Sequence, residues 1–299
     1  MSRQIGLIGL GLVGEALAKR LTGAGYAVLA YDISPQARED ARVLGAEIAP
    51  HSGAVAATGG TLLISLPDSD VVSEVLLGPN GIAKWFPAGS LVIDTTTGRP
   101  SDAVANARAL EDQGVRFVDC TLSGSSEDIA EGRATALVGD GAWSRNRKLE
   151  PDYLPLVQAF AANVFCVGPA GSGCLSKLIV NLVMGLNRAA LAEGLAFGLG
   201  AGLDGETLLE VLSESAAYSR VLDMKGRRML ERNYAPASRV AQHAKDVRLI
   251  LEEGERVGVD LPLERVHAQL LESLVARGLG DLDNAALIEA YRKAGTETP

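Results

Sequence analysis

Residues 5–14 read Ile5-Gly6-Leu7-Ile8-Gly9-Leu10-Gly11-Leu12-Val13-Gly14, and this stretch decides the fold. An apolar run typical of a buried strand stops at Gly9. An amphipathic stretch, VGEALAKRLTGAG, opens at Val13. The spacing G-x-G-x-x-G between a strand and a helix has a defined physics. Gly9 permits the tight turn, and Gly11 lets the backbone approach a pyrophosphate. Gly14 lets the helix pack against the strand, and the helix N-terminus faces the phosphates. Leu10, Leu12 and Val13 complete the candidate phosphate loop. Asp32 ends the next apolar run, AVLAYD, 18 residues after Gly14. An acid there accepts hydrogen bonds from a ribose 2′-hydroxyl and repels a 2′-phosphate. Ile33, not an arginine, follows it. The cofactor expected is therefore NAD rather than NADP. The competing reading is a glycine turn that serves another ligand.

The rhythm set by this unit continues to about residue 168. Apolar runs at Gln4–Ile8, Ala27–Tyr31, Thr61–Leu66, Ser90–Ile93, Arg116–Val118 and Thr135–Val138 alternate with helix-like segments at 12–24, 35–44, 68–77, 100–113 and 142–162. Strands alternating with helices predict βαβ units and a mainly parallel sheet. The runs lack a clean period of two, which fits strands covered on both faces. Beyond residue 169 the strand signals stop. Residues 171–201 read as one long apolar helix, and periodic segments follow at 204–214, 219–231, 238–257, 261–278 and 283–294. Gly202, Gly205, Pro236, Gly258, Pro262, Gly278 and Gly280 punctuate them. The expectation is an α/β Rossmann-type domain over 1–168 and an all-helical domain over 169–299, joined by the long helix.

Composition narrows the function. The chain has 299 residues, 47% of them hydrophobic and 22% charged, enough for two cored domains and too apolar for a disordered chain. A net charge of −9 opposes nucleic-acid and anionic-membrane partners. No uncharged apolar run reaches the roughly 18 residues that span a bilayer. The N-terminal apolar stretch is too short for a signal segment, so a cytoplasmic protein is expected. Cys120, Cys166 and Cys174 fit no zinc spacing, and His51, His243 and His267 are scattered, so no metal is expected.

Four blocks, in order, resemble the β-hydroxyacid dehydrogenases, the group of 3-hydroxyisobutyrate dehydrogenase and tartronate semialdehyde reductase, which share motifs with 6-phosphogluconate dehydrogenase. The first is GLGLVGEALAKRL, with Val13 where the family usually has methionine. The second is DCTLSGS, residues 119–125, similar to D-A-P-V-S-G-G. The third is GSGCLSKLIVN, residues 171–181, which matches G-x-G-x-x-x-K-x-x-x-N without departure. The fourth is KDVRLILEEG, from Lys245. The resemblance covers nearly the whole chain. It implies hydride transfer between a nicotinamide and a short β-hydroxy acid or its semialdehyde, in a homodimer or homotetramer.

The resemblance assigns residues as well. Lys177 is the implied general acid/base. It lies four residues before Asn181, so the two share a helix face. A lysine desolvated among Leu175, Leu178 and Ile179 has a depressed pKa and can take or give the hydroxyl proton near neutral pH. The competing reading is a surface lysine. Ser123 and Gly124 would hold the substrate carboxylate, since a hydroxyl and backbone N–H groups suit an anionic oxygen. Ser125, in place of the second glycine, would add a hydroxyl there and suit a more polar acid. Asp128 and Arg133 also depart from the family pattern. Leu66, Pro67 and Thr96 fall where the family has cofactor-contacting loops, and Lys245 would lie beside the nicotinamide. Two other readings keep the scaffold: an imine reductase, a group that typically lacks the lysine, and a non-catalytic NAD-binding protein.

Overall fold

The computed structural model describes residues 4–140 and 152–292. They form two compact units, divided between Lys177 and Leu178. The first is a sheet of eight strands in the order β3-β2-β1-β4-β5-β6-β7-β8. These are β1 (Gln4–Ile8), β2 (Ala27–Tyr31), β3 (Glu47–Ile48), β4 (Thr61–Ile64), β5 (Leu91–Asp94), β6 (Arg116–Ser123), β7 (Ala134–Asp140) and β8 (Ala161–Gly168). Strands β1 to β6 run parallel. Only β6 and β7 pair antiparallel, and β8 runs parallel to β7. The strand order reverses between β1 and β4, so a crevice opens at the carboxyl ends of those strands, the place where open α/β sheets bind ligands.

Helices α1 (Leu12–Gly23), α2 (Pro35–Val43), α3 (Ser52–Ala56), α4 (Ser69–Leu77), α5 (Pro100–Glu111), α6 (Ser126–Ala130) and α7 (Leu154–Phe160) connect the strands. Two apolar layers flank the sheet. One gathers Leu7, Leu17, Leu21, Ile93, Val118 and Phe160. The other gathers Ile8, Ile64, Leu76, Val92, Leu110 and Phe117. Burial on both sides explains the apolar runs without alternation.

The sequence reading differs here in four places. It takes 142–162 as helical. Of that span, 142–151 lie outside the described residues, α7 occupies Leu154–Phe160, and β8 starts at Ala161. The helix passes into the strand with no glycine or proline between, and the alanines on either side carry no strand signal. Strand β3 and helices α3 and α6 also escape the reading, being two, five and five residues long.

Helix α8 (Ser172–Gly200) has 29 residues and crosses the division. By length and composition it is apolar enough to span a bilayer. It nevertheless carries Lys177, Arg188 and Glu193, and its Ala192 and Leu195 lie in the core of the second unit. That unit adds α9 (Gly205–Ser213), α10 (Arg227–Leu230), α11 (Val240–Val257) and α12 (Pro262–Ala276). A π-helical turn at Leu222–Gly226 and a 3-10 helix at Asn284–Ala290 replace parts of two predicted helices. Met229, Val247, Leu271, Leu274 and Leu287 fill the same core. Within it Asp283, fully buried, accepts from Lys225 Nζ at 2.7 Å and from the N–H groups of Ala237, Ser238 and Ala285.

Candidate active site

The glycine loop follows β1 and leads into α1. Gly9 has φ +92°, a left-handed conformation that favours glycine, and its N–H donates to Tyr31 O at 3.0 Å. A Cβ at Gly9 would collide with the Ser65 carbonyl, and one at Gly14 with the Gly9 carbonyl. A Cβ at Gly11 would meet nothing within 4 Å. Two glycines thus let backbones touch, while the third leaves the approach open. Gly11 is also the N-cap of α1 and supplies no side-chain cap. The first N–H groups of α1 are left to an anion, and α1 has an exposed entrance at Gly11 and Leu12. The residues therefore fit a dinucleotide pyrophosphate. Leu10 is buried and Val13 half-buried, so both anchor the loop by packing.

Asp32 lies at the end of β2. Its Oδ2 accepts from Leu10 N at 2.7 Å and its Oδ1 from Ser34 N at 2.7 Å. The acid thus braces the glycine loop and still has lone pairs for ribose hydroxyls. The sequence reading missed Arg38. Its Nη1 donates to Asp32 O at 3.0 Å, and its guanidinium lies 5.6 Å from the centre of the Tyr31 ring. One turn of α2 brings back an arginine that the sequence places six residues away.

Leu66 and Pro67 follow β4, and Thr96 follows β5. Leu66 N donates to Thr96 Oγ1 at 3.1 Å, so the two loops are tied side by side at the same sheet edge. Thr96 is itself buried and Pro67 exposed. Thr96 N donates to Asp94 Oδ1 at 2.9 Å. Burial pushes the Asp94 carboxyl up to about 7, against the hydrogen bonds from Thr96.

Strand β6 pairs with β5 as far as Asp94–Asp119 and then runs on beside β7 to Ser123. The Ser123-Gly124 turn thus projects beyond the carboxyl edge of the sheet. Gly124, at φ +147°, is exposed, and among the described residues the Ser123 hydroxyl makes no hydrogen bond. Ser125 differs from its expected role. Its hydroxyl donates to Asp128 Oδ2 at 2.8 Å and accepts from Asp128 N at 3.1 Å, a capping box on α6.

Asp119, fully buried, fixes the start of α8. Its Oδ1 accepts from Gly171 N at 2.8 Å and its Oδ2 from Cys174 N at 2.9 Å. Thr121 Oγ1 donates to Gly173 O at 2.9 Å. A Cβ on Gly173 would strike the Leu137 and Asp119 carbonyls, at 2.5 and 2.7 Å. The first turn of α8 is therefore seated on β6 and β7, and Lys177 follows on the next turn, half-buried.

Asn181, Lys245 and Asp246 belong to the second unit. Buried Asn181 donates from Nδ2 to Asp246 Oδ2 at 3.1 Å, and Lys245 Nζ lies 3.5 Å from Asp246 Oδ1. Asp246 thereby links two residues that the sequence places 64 apart. This bond assigns the Asn181 amide, with its buried Oδ1 turned elsewhere. Among the described residues no His, Cys, Asp or Glu cluster has the makings of a metal site.

Comparison with known proteins identifies the family of both units. Residues 4–168 match the NAD-binding domain of 6-phosphogluconate dehydrogenase, and residues 171–291 the "NAD-binding of NADP-dependent 3-hydroxyisobutyrate dehydrogenase" model. The chain is 31% identical to L-threonate dehydrogenase of Cupriavidus necator, over 100% of this chain and 99% of that one. It is 30% identical to 2-hydroxy-3-oxopropionate reductase of Escherichia coli, over 96% of both. It is 29% identical to 2-(hydroxymethyl)glutarate dehydrogenase of Eubacterium barkeri, over 98% and 96%. Among solved structures, 3-hydroxyisobutyrate dehydrogenase from Salmonella typhimurium superposes with a TM-score of 0.84 at 26% identity, covering 96% of this chain and 99% of that one. An imine reductase from Pseudomonas sp. shares the fold, with a TM-score of 0.64 at 20% identity over 98% of this chain and all of the other. With a dinucleotide loop on the first unit, an intact lysine helix and family models spanning both units, the chain belongs to the β-hydroxyacid dehydrogenase family of NAD(P)-dependent oxidoreductases.

Proposed function

We propose that the protein interconverts a short β-hydroxy acid and its semialdehyde, with NAD as the preferred cofactor. The observation that carries the reading is Lys177, half-buried on a helix whose first turn is clamped by Asp119. An amine on such a helix can take the hydroxyl proton in oxidation and return it in reduction. Bound nicotinamide supplies the hydride acceptor or donor. Gly9 to Gly14 would hold the pyrophosphate, and Asp32 the adenosine ribose. Ser123 and Gly124 would receive the carboxylate, and Asn181 would orient the reacting oxygen. The relatives named above act on short hydroxy acids, which supports the substrate class.

The direct test is Lys177→Ala, assayed with NAD and NADP across 3-hydroxyisobutyrate, glycerate, serine and threonate. Retained cofactor binding with turnover reduced by ~10²–10⁴ is expected for loss of a general acid/base. Unchanged turnover would refute the role. Wild-type protein that binds cofactor but reduces or oxidises none of these acids would favour the non-catalytic reading, and turnover of cyclic imines would favour the imine reductase reading. A homo-oligomer is part of the proposal, because α8 exposes Ile179, Val183 and Phe197, the last 79% accessible. Light scattering on the purified chain reads the subunit number.

A further inference from the structure

Three of the residues that set this chain apart from the family pattern turn out to be in contact. Ser125 N donates to Asp128 Oδ2 at 2.9 Å, and Ser125 Oγ donates to the same oxygen at 2.8 Å. Arg133 Nη2 holds the other carboxylate oxygen at 3.1 Å and also pairs with Glu131. The Ser125 amide, its hydroxyl and Arg133 together hold the Asp128 carboxyl below its ordinary range. A carboxylate that belongs to the protein therefore sits on two donors next to the Ser123-Gly124 turn. Both donors belong to the residue that directly follows Gly124, so an acid end held at Ser123 and Gly124 would have them as its next neighbours along the chain.

We propose that Asp128 is a specificity-determining residue which occupies the Ser125 amide and hydroxyl in place of a substrate carboxylate, leaving Ser123 and Gly124 as the carboxylate's donors. This rests on the reading of that turn as the substrate-binding loop. The consequence is a loose grip on the acid end of the substrate. A carboxylate held by two donors is weaker by the worth of two charge-assisted hydrogen bonds than one held by four. Arg133 keeps Asp128 seated, because it compensates the charge that Ser125 alone would leave half-solvated.

Two variants separate the proposal from a merely structural role. Asp128→Ala empties the Ser125 donors. Asp128→Asn keeps an oxygen acceptor on them and removes the charge. The probes are propionate and neutral propionamide, titrated calorimetrically into the NAD-loaded protein, with steady-state kinetics on a hydroxy acid alongside. The expected result is that D128A binds propionate about 10²-fold more tightly than wild type, the scale of two hydrogen bonds to a charged group. D128N should stay near wild type, and propionamide should not discriminate. In kinetics the gain should appear as a lower KM for the hydroxy acid. Equal propionate affinity in D128A and wild type overturns the proposal. So does D128N matching D128A, since charge rather than donor occupancy would then be at work. A propionate shift without turnover of any hydroxy acid would leave the loop assignment standing and defeat the proposed reaction. Turnover without the shift would do the reverse.

Discussion

The carboxylate of Asp119 on β6 accepts the N–H of Cys174, 55 residues later, at 2.9 Å. Together with the bond to Gly171 N, this makes Asp119 the cap that α8 lacks in its own sequence. Gly139 and Gly173 make the room: a Cβ on either would meet the Asp119 carboxylate, on Gly173 at 2.8 Å from Oδ2. Replacing Asp119 by alanine strands two buried N–H groups, at about 1–3 kcal/mol each. We expect D119A to lose about 2–6 kcal/mol in urea unfolding. Turnover should fall more than NAD affinity, because the lysine helix loses its seat while the glycine loop is untouched.

Asp94 makes stability depend on pH. Its folded pKa, about 7, lies above the ordinary 3.8, so the folded state holds a proton that the unfolded state has released between those values. Stability then falls as pH rises through that window, by up to ~1.4 kcal/mol per pH unit for one proton. Asp94→Asn should flatten this dependence, with its advantage over wild type growing from pH 5 to pH 8. Denaturant midpoints at those two pH values measure it. A wild-type curve that is flat between them, or equally steep in the variant, removes Asp94 as the source.

Cofactor choice should turn on Asp32 and Arg38. Asp32→Asn removes a charge that a 2′-phosphate would face, and Arg38 already lies beside Asp32 and Tyr31. The ratio of kcat/KM for NADP to that for NAD should rise about tenfold, as expected for one partly screened charge at short range. Because Asp32 also holds Leu10 N and Ser34 N, affinity for both cofactors should drop as well. Wild-type activity with NADP equal to that with NAD would end the NAD assignment.

In the helical unit, Lys225 and Asp283 form a buried ion pair at 2.7 Å. Lys225→Met leaves Asp283 buried among the remaining donors with its charge poorly balanced. The loss should be about 3–5 kcal/mol, the range for breaking one side of such a pair. Chemical denaturation followed by helical ellipticity reads it, and a loss below 1 kcal/mol would show that Arg228 and the three backbone donors suffice.

What the sequence makes legible is local. Strands β1 and β2 begin and end where their apolar runs do, since a doubly covered strand needs nothing but apolar residues. The glycine loop is legible through its spacing between strand and helix, and Gly14 answers to the Gly9 carbonyl five residues back, although the Ser65 carbonyl that Gly9 must clear lies far along the chain. Lys177 and Asn181 are legible because they share one helix. The partners are not. Asp119 reaches α8 across more than 50 residues, Asp246 reaches Asn181 across 65, and Arg38 returns to Asp32 only because α2 folds back. Ser125 shows the same limit from the other side. Its hydroxyl is visible in the sequence, but whether it is free depends on Asp128, and a capping box settles that only once α6 forms.

The glycine loop also bears on how such a chain can diverge. A methyl group on Gly9 or Gly14 strikes a carbonyl and threatens the fold. A methyl group on Gly11 meets nothing within 4 Å among the described residues and would intrude on the close approach a pyrophosphate makes to this loop. Drift at position 9 or 14 is therefore purged as misfolding. Drift at position 11 is not policed by folding, so it is felt first where the loop meets its cofactor.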